Sequence, residues 1–270
     1  MNNKIKIHPL INEIKNEIIE NRRYFHKYPE LSFEEFNTSK AIEEKLIQMG
    51  INDISKMAKT GLIANIHGNN DGKTIALRAD MDALPIQETS NLPYKSVNDS
   101  VMHACGHDGH MAMLLGAAKA IYNRKEELNG NVRLVFQPAE EGLAGATHMI
   151  KEGALNGVDE IYGIHLWNYQ RVGEIGVKPG PIMAAADIFE IKIMGKGGHG
   201  ATPHGTVDAV LVASHLISSL QTIVSRNTNP IESTVVTVGM INGGYNFNII
   251  ADEVILKGTT RAYTKENRNL

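Results

Sequence analysis

The segment KTIALRAD (residues 73–80) begins the stretch of sequence that decides the fold, and it has the apolar character of a buried strand. It is followed by the cluster MHACGHDGH (102–110) and then by the run MAMLLGAAKAIY (111–122), which predicts a helix. The stretches NVRLVFQP (131–138) and DEIYGIHLW (159–167) predict two more strands, with a short glycine-flanked helix between them. Strands that alternate with helices predict an α/β unit with a mostly parallel sheet covered by helices on both faces.

Two amphipathic helices are expected before this sheet. The apolar residues between Pro9 and about Arg23 fall at helical spacing. A second helix is expected from Ser32, whose hydroxyl would cap it while Glu35 reaches back, to Gly50 as the stop.

A stretch of Pro, Gly and Ala at residues 179–186 predicts a linker into a second unit. We therefore expect one domain at residues 1–182 and another at residues 183–270. The order strand, helix, strand, strand in the second domain is typical of the start of a ferredoxin-like α+β unit, which normally continues with another helix and strand. A last helix capped by Thr264 ends the sequence, so this unit is expected to be incomplete.

The composition excludes several classes of protein. With 42% hydrophobic and 21% charged residues, the chain resembles an ordinary globular protein, and its net charge of −3 makes nucleic acid an unexpected partner. The longest apolar run, Met111–Ala118, is too short for a membrane span, and residues 1–20 lack the pattern of a secretory signal. We expect a cytoplasmic protein in which the single cysteine, Cys105, forms no intramolecular disulfide.

Side chains that can bind a metal ion or move a proton stand where the predicted strands end. These strand-end residues are Asp80, Asp82, Glu140, Glu141 and His165, and Cys105 and His107 stand just before the predicted helix. Because the carboxyl ends of neighbouring parallel strands border one crevice, we expect these side chains to surround a single site.

Cys105 and His107 are two residues apart, so both side chains would point the same way from an extended segment. A thiolate with an imidazole suits zinc, cobalt, nickel or manganese better than magnesium or calcium, which prefer oxygen ligands. The alternative is a buried thiol beside a histidine that begins a helix. His103 and His110 are expected to be structural or to support the ligands.

Glu140 and Glu141 would face opposite ways in an extended segment, which indicates that they have different roles. One would bind a metal ion, and the other would act as a base on water whose pKa the metal lowers. The alternative for this pair is a solvated acidic loop. Asp80 and Asp82 are expected to support the ligands, although Arg78 also offers an ion pair.

Six motifs in this order resemble a known family of amidohydrolases. They are RADMDALP (78–85), MHACGHDGHMA (102–112), QPAEEG (137–142), GIHLW (163–167), GKGGHGATPHGTVDA (195–209) and NIIADEVILKGTTR (248–261). HKYPELSFEE (26–35) fits as well. The family includes hippurate hydrolases, N-acyl-amino-acid deacylases, indoleacetyl-amino-acid hydrolases and N-acetyldiaminopimelate deacetylases, and the resemblance covers the chain from about Arg22.

The resemblance implies an aminopeptidase-like catalytic domain with two divalent metal ions, Mn, Zn, Co or Ni, and an inserted lid through which a homodimer forms. It also implies an N-acyl amino acid as substrate. By this resemblance the metal ligands are Cys105, His107, Glu141 and His165, and the general base is Glu140. It further implies that the lid histidine His199 polarises the scissile carbonyl in the partner subunit, and that Asn248 and Arg261 hold the substrate carboxylate.

Two departures from the family pattern stand out. Ala251 replaces a proline that is usual there, and family members continue with the rest of the lid and with a segment that supplies another histidine ligand. A truncated chain of doubtful activity is therefore expected. The alternatives are a dipeptidase or carboxypeptidase with the same two-metal site, and a non-catalytic remnant that dimerises or binds metal.

Overall fold

A computed structural model describes residues 8–270, so the expectation about a secretory signal falls partly on residues outside this range. The chain forms two compact units, one that ends at Gly173 and one that spans Glu174–Leu270. The division expected from the sequence lies later, between residues 182 and 183. Within the described residues, no helix combines the length and the apolar character that crossing a membrane requires.

The first unit is built on a five-stranded sheet in the order β1-β2-β4-β3-β5. Its strands are β1 (Ile54–Met57), β2 (Gly61–His67), β3 (Asn70–Asp80), β4 (Asn129–Gln137) and β5 (Glu160–Gly163). β3 runs parallel to β4 and β5, whereas β2 is antiparallel to both β1 and β4.

The sheet is therefore mixed, and the prediction of a mostly parallel sheet is wrong in this respect. A tight turn joins β1 to β2, with Ala58 at φ 47° and Lys59 at φ 70°. Two strands joined by so short a turn pair antiparallel, because a parallel pair needs a long crossover connection.

Helices cover both faces of this sheet, as the alternation of strands and helices predicts. They are α1 (Pro9–Lys27), α2 (Phe36–Gln48), α3 (His107–Tyr122) and α4 (Gly145–Lys151). Leu115 of α3 packs with Leu62 and Leu134 in the core of one face. Met149 of α4 packs with Ile63 in the core of the other face. Leu62 and Ile63 are neighbours in β2, so the sheet is buried on both sides.

The start of α2 differs from the predicted capping box. The helix begins at Phe36, and its first amides are held by the Glu30 carboxylate, which accepts from the backbone N–H of Asn37 at 3.2 Å and of Thr38 at 2.8 Å. The Ser32 hydroxyl instead donates to Asp82, and the Glu35 carboxylate is buried in the interior. The motif therefore contacts segments distant in sequence that local spacing does not reveal.

The second unit contains a three-stranded antiparallel sheet in the order β6-β10-β8 and one long helix. Its elements are β6 (Ala185–Met194), β7 (Gly198–His199), α5 (Ala209–Thr222), β8 (Thr234–Gly243), β9 (Ile249–Ile250), β10 (Glu253–Ala262) and α6 (Lys265–Arg268). Ala209 and Ala213 of α5 pack on Val254 and Leu256 of β10. The predicted order strand, helix, strand, strand is confirmed, with the third main strand between the other two.

Side chains cap both helices of this unit. The Asp208 carboxylate accepts from the backbone N–H groups of Val210 and Leu211 at the start of α5. The Thr264 hydroxyl accepts from the backbone N–H of Asn267 at 3.2 Å, which confirms the predicted cap of the last helix.

Candidate metal centre

The first unit brings all its predicted site residues together at the carboxyl ends of β3 and β4 and beyond β5. Three groups of side chains there have potential ligand atoms within 4.8 Å of one another, and His107 belongs to each. They are Cys105 with His107 and His165, Asp80 with His107 and His110, and His107 with Glu140 and Glu141. His107 is thus the centre of the candidate site.

His107 presents one ring nitrogen to the crevice and uses the other to hold its orientation. Its Nδ1 lies 2.8 Å from the backbone carbonyl oxygen of Asp82, which only accepts hydrogen bonds, so Nδ1 carries the proton. Its Nε2 is buried without a hydrogen-bond partner in the described part of the chain. This Nε2 atom lies 3.9 Å from Oε1 of Glu141 and 3.6 Å from Oδ2 of Asp80.

The carboxylates concentrate negative charge around this histidine. Burial alone would lower the pKa of His107, but hydrogen bonds to Asp82 and Cys105 and the charge of Asp80 outweigh it and raise the pKa to about 11. Burial would raise the pKa of Asp80, yet the hydrogen bond to His110 and the Arg78 guanidinium hold it well below its usual range. The site therefore favours a cation.

The pKa of Glu140 shifts in the opposite direction from the pKa values of Asp80 and Asp82. Loss of surrounding water, followed by the charges of Glu141 and Asp80, raises the pKa of Glu140 above its ordinary value. A carboxylate with a raised pKa is a better proton acceptor than an ordinary one, which is the property a general base requires.

Cys105, which is half-buried, and His165, which is exposed, form the more accessible side of the cluster. The Cys105 sulfur lies 3.5 Å from Nε2 of His165. Nδ1 of His165 lies 2.6 Å from the backbone carbonyl oxygen of Leu166 and donates to it, which leaves Nε2 facing the thiol. His165 lies two residues beyond the end of β5 and is exposed, so it is not a histidine of the hydrophobic core.

His110 lies in the cluster, but its ring nitrogens are both engaged. Nε2 accepts the backbone N–H of Leu166 at 2.9 Å, so the proton resides on Nδ1, which donates to Oδ1 of Asp80 at 2.6 Å. We therefore place His110 outside the ligand set. It connects Asp80 to the segment that carries His165, which agrees with the expected supporting role.

Asp82 holds the loop that carries the two glutamates. Its carboxylate accepts from the backbone N–H of Glu140 at 3.0 Å and of Glu141 at 2.9 Å. Its Oδ2 also accepts the Ser32 hydroxyl at 2.7 Å, and its backbone carbonyl orients His107. One residue thus fixes the loop and the central histidine together.

The chemistry of these residues fits a divalent cation. Nε2 of His107 and Oε1 of Glu141 are both buried without hydrogen-bond partners in the described structure, although unpaired buried polar atoms are costly. A cation between them would satisfy both atoms. The surrounding thiol, imidazoles and carboxylates are the ligand types that zinc, manganese and related metals use.

The second unit places His199 and Asn248 beside each other. β7 pairs with β9, and the backbone N–H of Gly200 donates to the carbonyl of Asn248 at 2.8 Å. Both side chains line a groove of about 570 Å³, which also includes Tyr245. Arg261 lies on β10, is not among the residues that line this groove, and donates to the Thr260 carbonyl at 2.8 Å.

Ser32 and Glu35 are residues of this region that the sequence pattern does not reveal. The pattern predicts a helix cap for both, whereas Ser32 contacts Asp82 and Glu35 contacts the backbone of Ala139. Their one available signal is that HKYPELSFEE (26–35) accompanies the six motifs although it contains no predicted ligand.

Fold and site together define an α/β protein with a cluster of side chains at its strand ends that could hold a metal ion. The chain matches peptidase family M20/M25/M40 over residues 76–266, and it belongs to this family. The resemblance to metal-dependent amidohydrolases is thereby confirmed at the level of the family.

Named relatives share most of this chain. It is 49% identical over 259 residues to the N-acetyl-L-cysteine deacetylase of Bacillus subtilis strain 168, a match that covers 96% of this chain and 62% of that protein. It is 44% identical to the N-acyl-L-amino acid amidohydrolase of Geobacillus stearothermophilus, with 98% and 72% covered. The chain therefore spans less than two thirds of the deacetylase.

A solved structure supports the fold. The crystal structure of a Bacillus subtilis protein described as a dinuclear metal binding peptidase of the M20 family has a TM-score of 0.81 and 43% identity to this chain. The match covers 96% of this chain and 67% of that one. Family membership thus rests on both sequence and structure.

Proposed function

We propose that this protein hydrolyses the amide bond of N-acyl amino acids at a centre of two divalent metal ions. One observation carries the proposal: the unpaired Nε2 of His107 and Oε1 of Glu141 face each other beside Glu140, whose pKa is raised. The names of the deacetylase and amidohydrolase relatives and the dinuclear description of the solved relative support it.

The proposed ligands are Cys105, His107, Glu141 and His165. Divalent ions bound there supply Lewis acidity and lower the pKa of water at the site. The thiol favours zinc, manganese, cobalt or nickel over magnesium and calcium. Asp80 and Asp82 hold the ligands in place through His110, His107 and the backbone of the glutamate loop.

Glu140 is the proposed general base. Its carboxylate takes a proton from the attacking water and passes it to the nitrogen of the leaving amine. The raised pKa of Glu140 suits both steps, because the carboxylate must bind the proton and then release it. Its neighbour Glu141 remains the ligand, so the adjacent glutamates have separate roles.

The second unit is the proposed lid. His199, which is exposed beside Asn248, would polarise the scissile carbonyl in a partner subunit, and Asn248 and Arg261 would hold the substrate carboxylate. Homodimer formation through this unit is supported by β8, a strand at the edge of its sheet with Met240 and Ile241 exposed.

The proposal is tested with the purified protein and a panel of N-acetyl amino acids, with free-amine release measured after manganese or zinc addition. Dipeptides with a free amino terminus are assayed in parallel, because a dipeptidase would prefer them. Glu140→Gln should abolish turnover, whereas Glu13→Gln on the exposed surface of α1 should not. Absence of metal-dependent amine release from every N-acyl amino acid would reject the proposal.

A further inference from the structure

Glu35 is a buried carboxylate that contacts the loop carrying Glu140 and Glu141. Its relative exposure is 0%. Its Oε1 accepts the backbone N–H of Ala139 at 2.8 Å, and its Oε2 accepts the Thr60 hydroxyl at 2.5 Å. A buried carboxylate is costly unless hydrogen bonds compensate it, and here one compensating partner belongs to the glutamate loop.

The contacted residue has an unusual backbone conformation. Ala139 is fully buried and has φ 50°, in the left-handed region that residues with a Cβ rarely occupy. Such a conformation persists only where surrounding contacts enforce it. The hydrogen bond from Ala139 to Glu35 is one of these contacts, and the bond from the Gly145 N–H to the Ala139 carbonyl, at 3.0 Å, is another.

The next two amides of the loop are also held by a carboxylate. Asp82 accepts the N–H groups of Glu140 and Glu141, so three consecutive amides end on two buried carboxylates. The backbone direction at Ala139 sets where the following side chains point. Glu35 fixes the first of the three amides, and it comes from a separate segment of the chain.

We propose that Glu35 is a positioning residue for the metal centre, acting through Ala139 to keep Glu140 and Glu141 directed toward His107. The roles given to these two glutamates rest on the proposed function. The hydrogen bond from Glu35 to Ala139 is independent of those roles, so the positioning effect is measurable without turnover.

Glu35→Ala removes the acceptor of the Ala139 amide, and Glu35→Gln keeps it. In Glu35→Gln the amide oxygen accepts from Ala139, and the amide nitrogen donates to the Thr60 hydroxyl, which then acts as acceptor. Glu88→Ala is the matched control, because Glu88 is also buried, at 2% exposure, but its carboxylate accepts from Ser90, the backbone of Ser96 and His26 instead of from the glutamate loop. A merely structural carboxylate would behave like Glu88.

The first measurement is hydrogen–deuterium exchange of the metal-free protein over residues 138–143. Glu35→Ala should exchange faster there, and Glu35→Gln and Glu88→Ala should match the parent. The second measurement is the affinity for Co²⁺, determined from the absorption spectrum of the bound Co²⁺ ion during a titration. Loss of a group that orients a ligand costs on the order of 10-fold or more in metal affinity, and we expect that loss in Glu35→Ala alone.

Turnover supplies the third readout. Glu35→Ala should lower kcat by about 10-fold or more while KM changes little, because the loop positions the base and not the substrate. Equal exchange and Co²⁺ affinity in Glu35→Ala and the parent, or equal losses in Glu35→Ala and Glu88→Ala, would overturn the positioning role. A parent that binds Co²⁺ but hydrolyses no N-acyl amino acid would reject only the proposed function.

Thr60→Val is the second variant if Glu35→Ala does not fold. It removes only the hydroxyl that holds Oε2 of Glu35 and keeps the volume of the side chain. Thr60→Val should also show faster exchange over residues 138–143, weaker Co²⁺ binding and a lower kcat, each to a smaller extent than Glu35→Ala. A folded Thr60→Val protein with parental exchange, Co²⁺ affinity and kcat would then count against the proposal.

Discussion

The carboxylate of Asp82 accepts the backbone N–H of Glu141 at a distance of 2.9 Å. It also accepts the N–H of Glu140, while the Asp82 backbone carbonyl accepts the Nδ1 proton of His107. Two potential ligands on different elements therefore depend on one residue. A shift of Asp82 would therefore displace both His107 and Glu141.

Asp82→Asn should therefore weaken metal binding. An asparagine side chain has only one accepting oxygen, so it cannot hold both amides as the carboxylate does. We expect a loss of about 10- to 100-fold in metal affinity, measured by titration with Zn²⁺ or Co²⁺. Asp159→Asn is the control, because Asp159 also accepts a backbone N–H, from Thr74, away from the cluster. Equal affinities in both variants would contradict this dependence.

The two adjacent glutamates should separate when they are changed singly. Glu140→Gln should keep its metal content but lose turnover by a factor on the order of 10² or more, as expected for loss of a general base. Glu141→Gln should lose metal as well, because its Oε1 faces Nε2 of His107. Metal content and amine release measured on both variants test this assignment. Loss of metal in Glu140→Gln, with metal retained in Glu141→Gln, would show that Glu140 is the ligand and Glu141 the base.

His110→Ala should loosen the segment that carries His165. The ring of His110 accepts the N–H of Leu166 and donates to Asp80, so its removal frees the backbone next to His165. We expect a loss of metal affinity of about 10-fold, measured against His67→Ala, whose histidine is exposed and contacts Asp53. A parental affinity in His110→Ala would show that the His165 segment is held by other contacts.

The sequence predicts the elements better than it predicts their partners. The apolar runs predicted as strands at 73–80 and 131–138 correspond to β3 and β4, and the site residues lie at strand ends where the pattern places them. The antiparallel side of the sheet was not predicted, because the neighbour of a strand depends on contacts distant in sequence. The Ser32 and Glu35 pattern fails for the same reason, since their partners Asp82 and Ala139 are far along the chain.

The sequence predicts which residues form the candidate site. It does not predict which histidine nitrogens carry protons or which hydrogen bonds hold the side chains in place. Cys105 and His107 follow from their spacing, yet nothing local shows which nitrogen of His107 faces the crevice. That choice depends on the carbonyl of Asp82, which the fold brings within 2.8 Å. Hydrogen-bond geometry is needed in the same way to place His110 outside the ligand set.

A second buried network should make the stability of the first unit depend on pH. His26 is 4% exposed, with Nδ1 at 2.9 Å from Asp108 and Nε2 at 3.2 Å from Glu88. Ionised carboxylates only accept hydrogen bonds, so both ring nitrogens carry protons and the ring is charged. The hydrogen bond to Asp108, opposed by burial and aided by Glu88, raises the pKa of His26 above 6.5.

His26→Gln should therefore destabilise the protein most at mildly acidic pH. Because the folded pKa is raised, the stabilisation by His26 is fully present below the unfolded value, about 6.5, and is lost as the pH rises through the folded value. Hydrogen bonds to charged groups contribute about 1.5 to 3 kcal/mol, so the free energy of unfolding should fall by about 2 kcal/mol at pH 6. Urea unfolding of parent and variant between pH 5.5 and 9 measures the difference, which should shrink toward the alkaline end. His67→Gln is the control, since the pKa of His67 is also raised by Asp53 but the pair is exposed and contributes little. A difference between parent and His26→Gln that stays constant over this range would mean that the pKa of His26 is the same in the folded and the unfolded protein. A difference that instead grows toward alkaline pH would mean that His26 is neutral in the folded protein, so that one of its two carboxylate partners carries a proton.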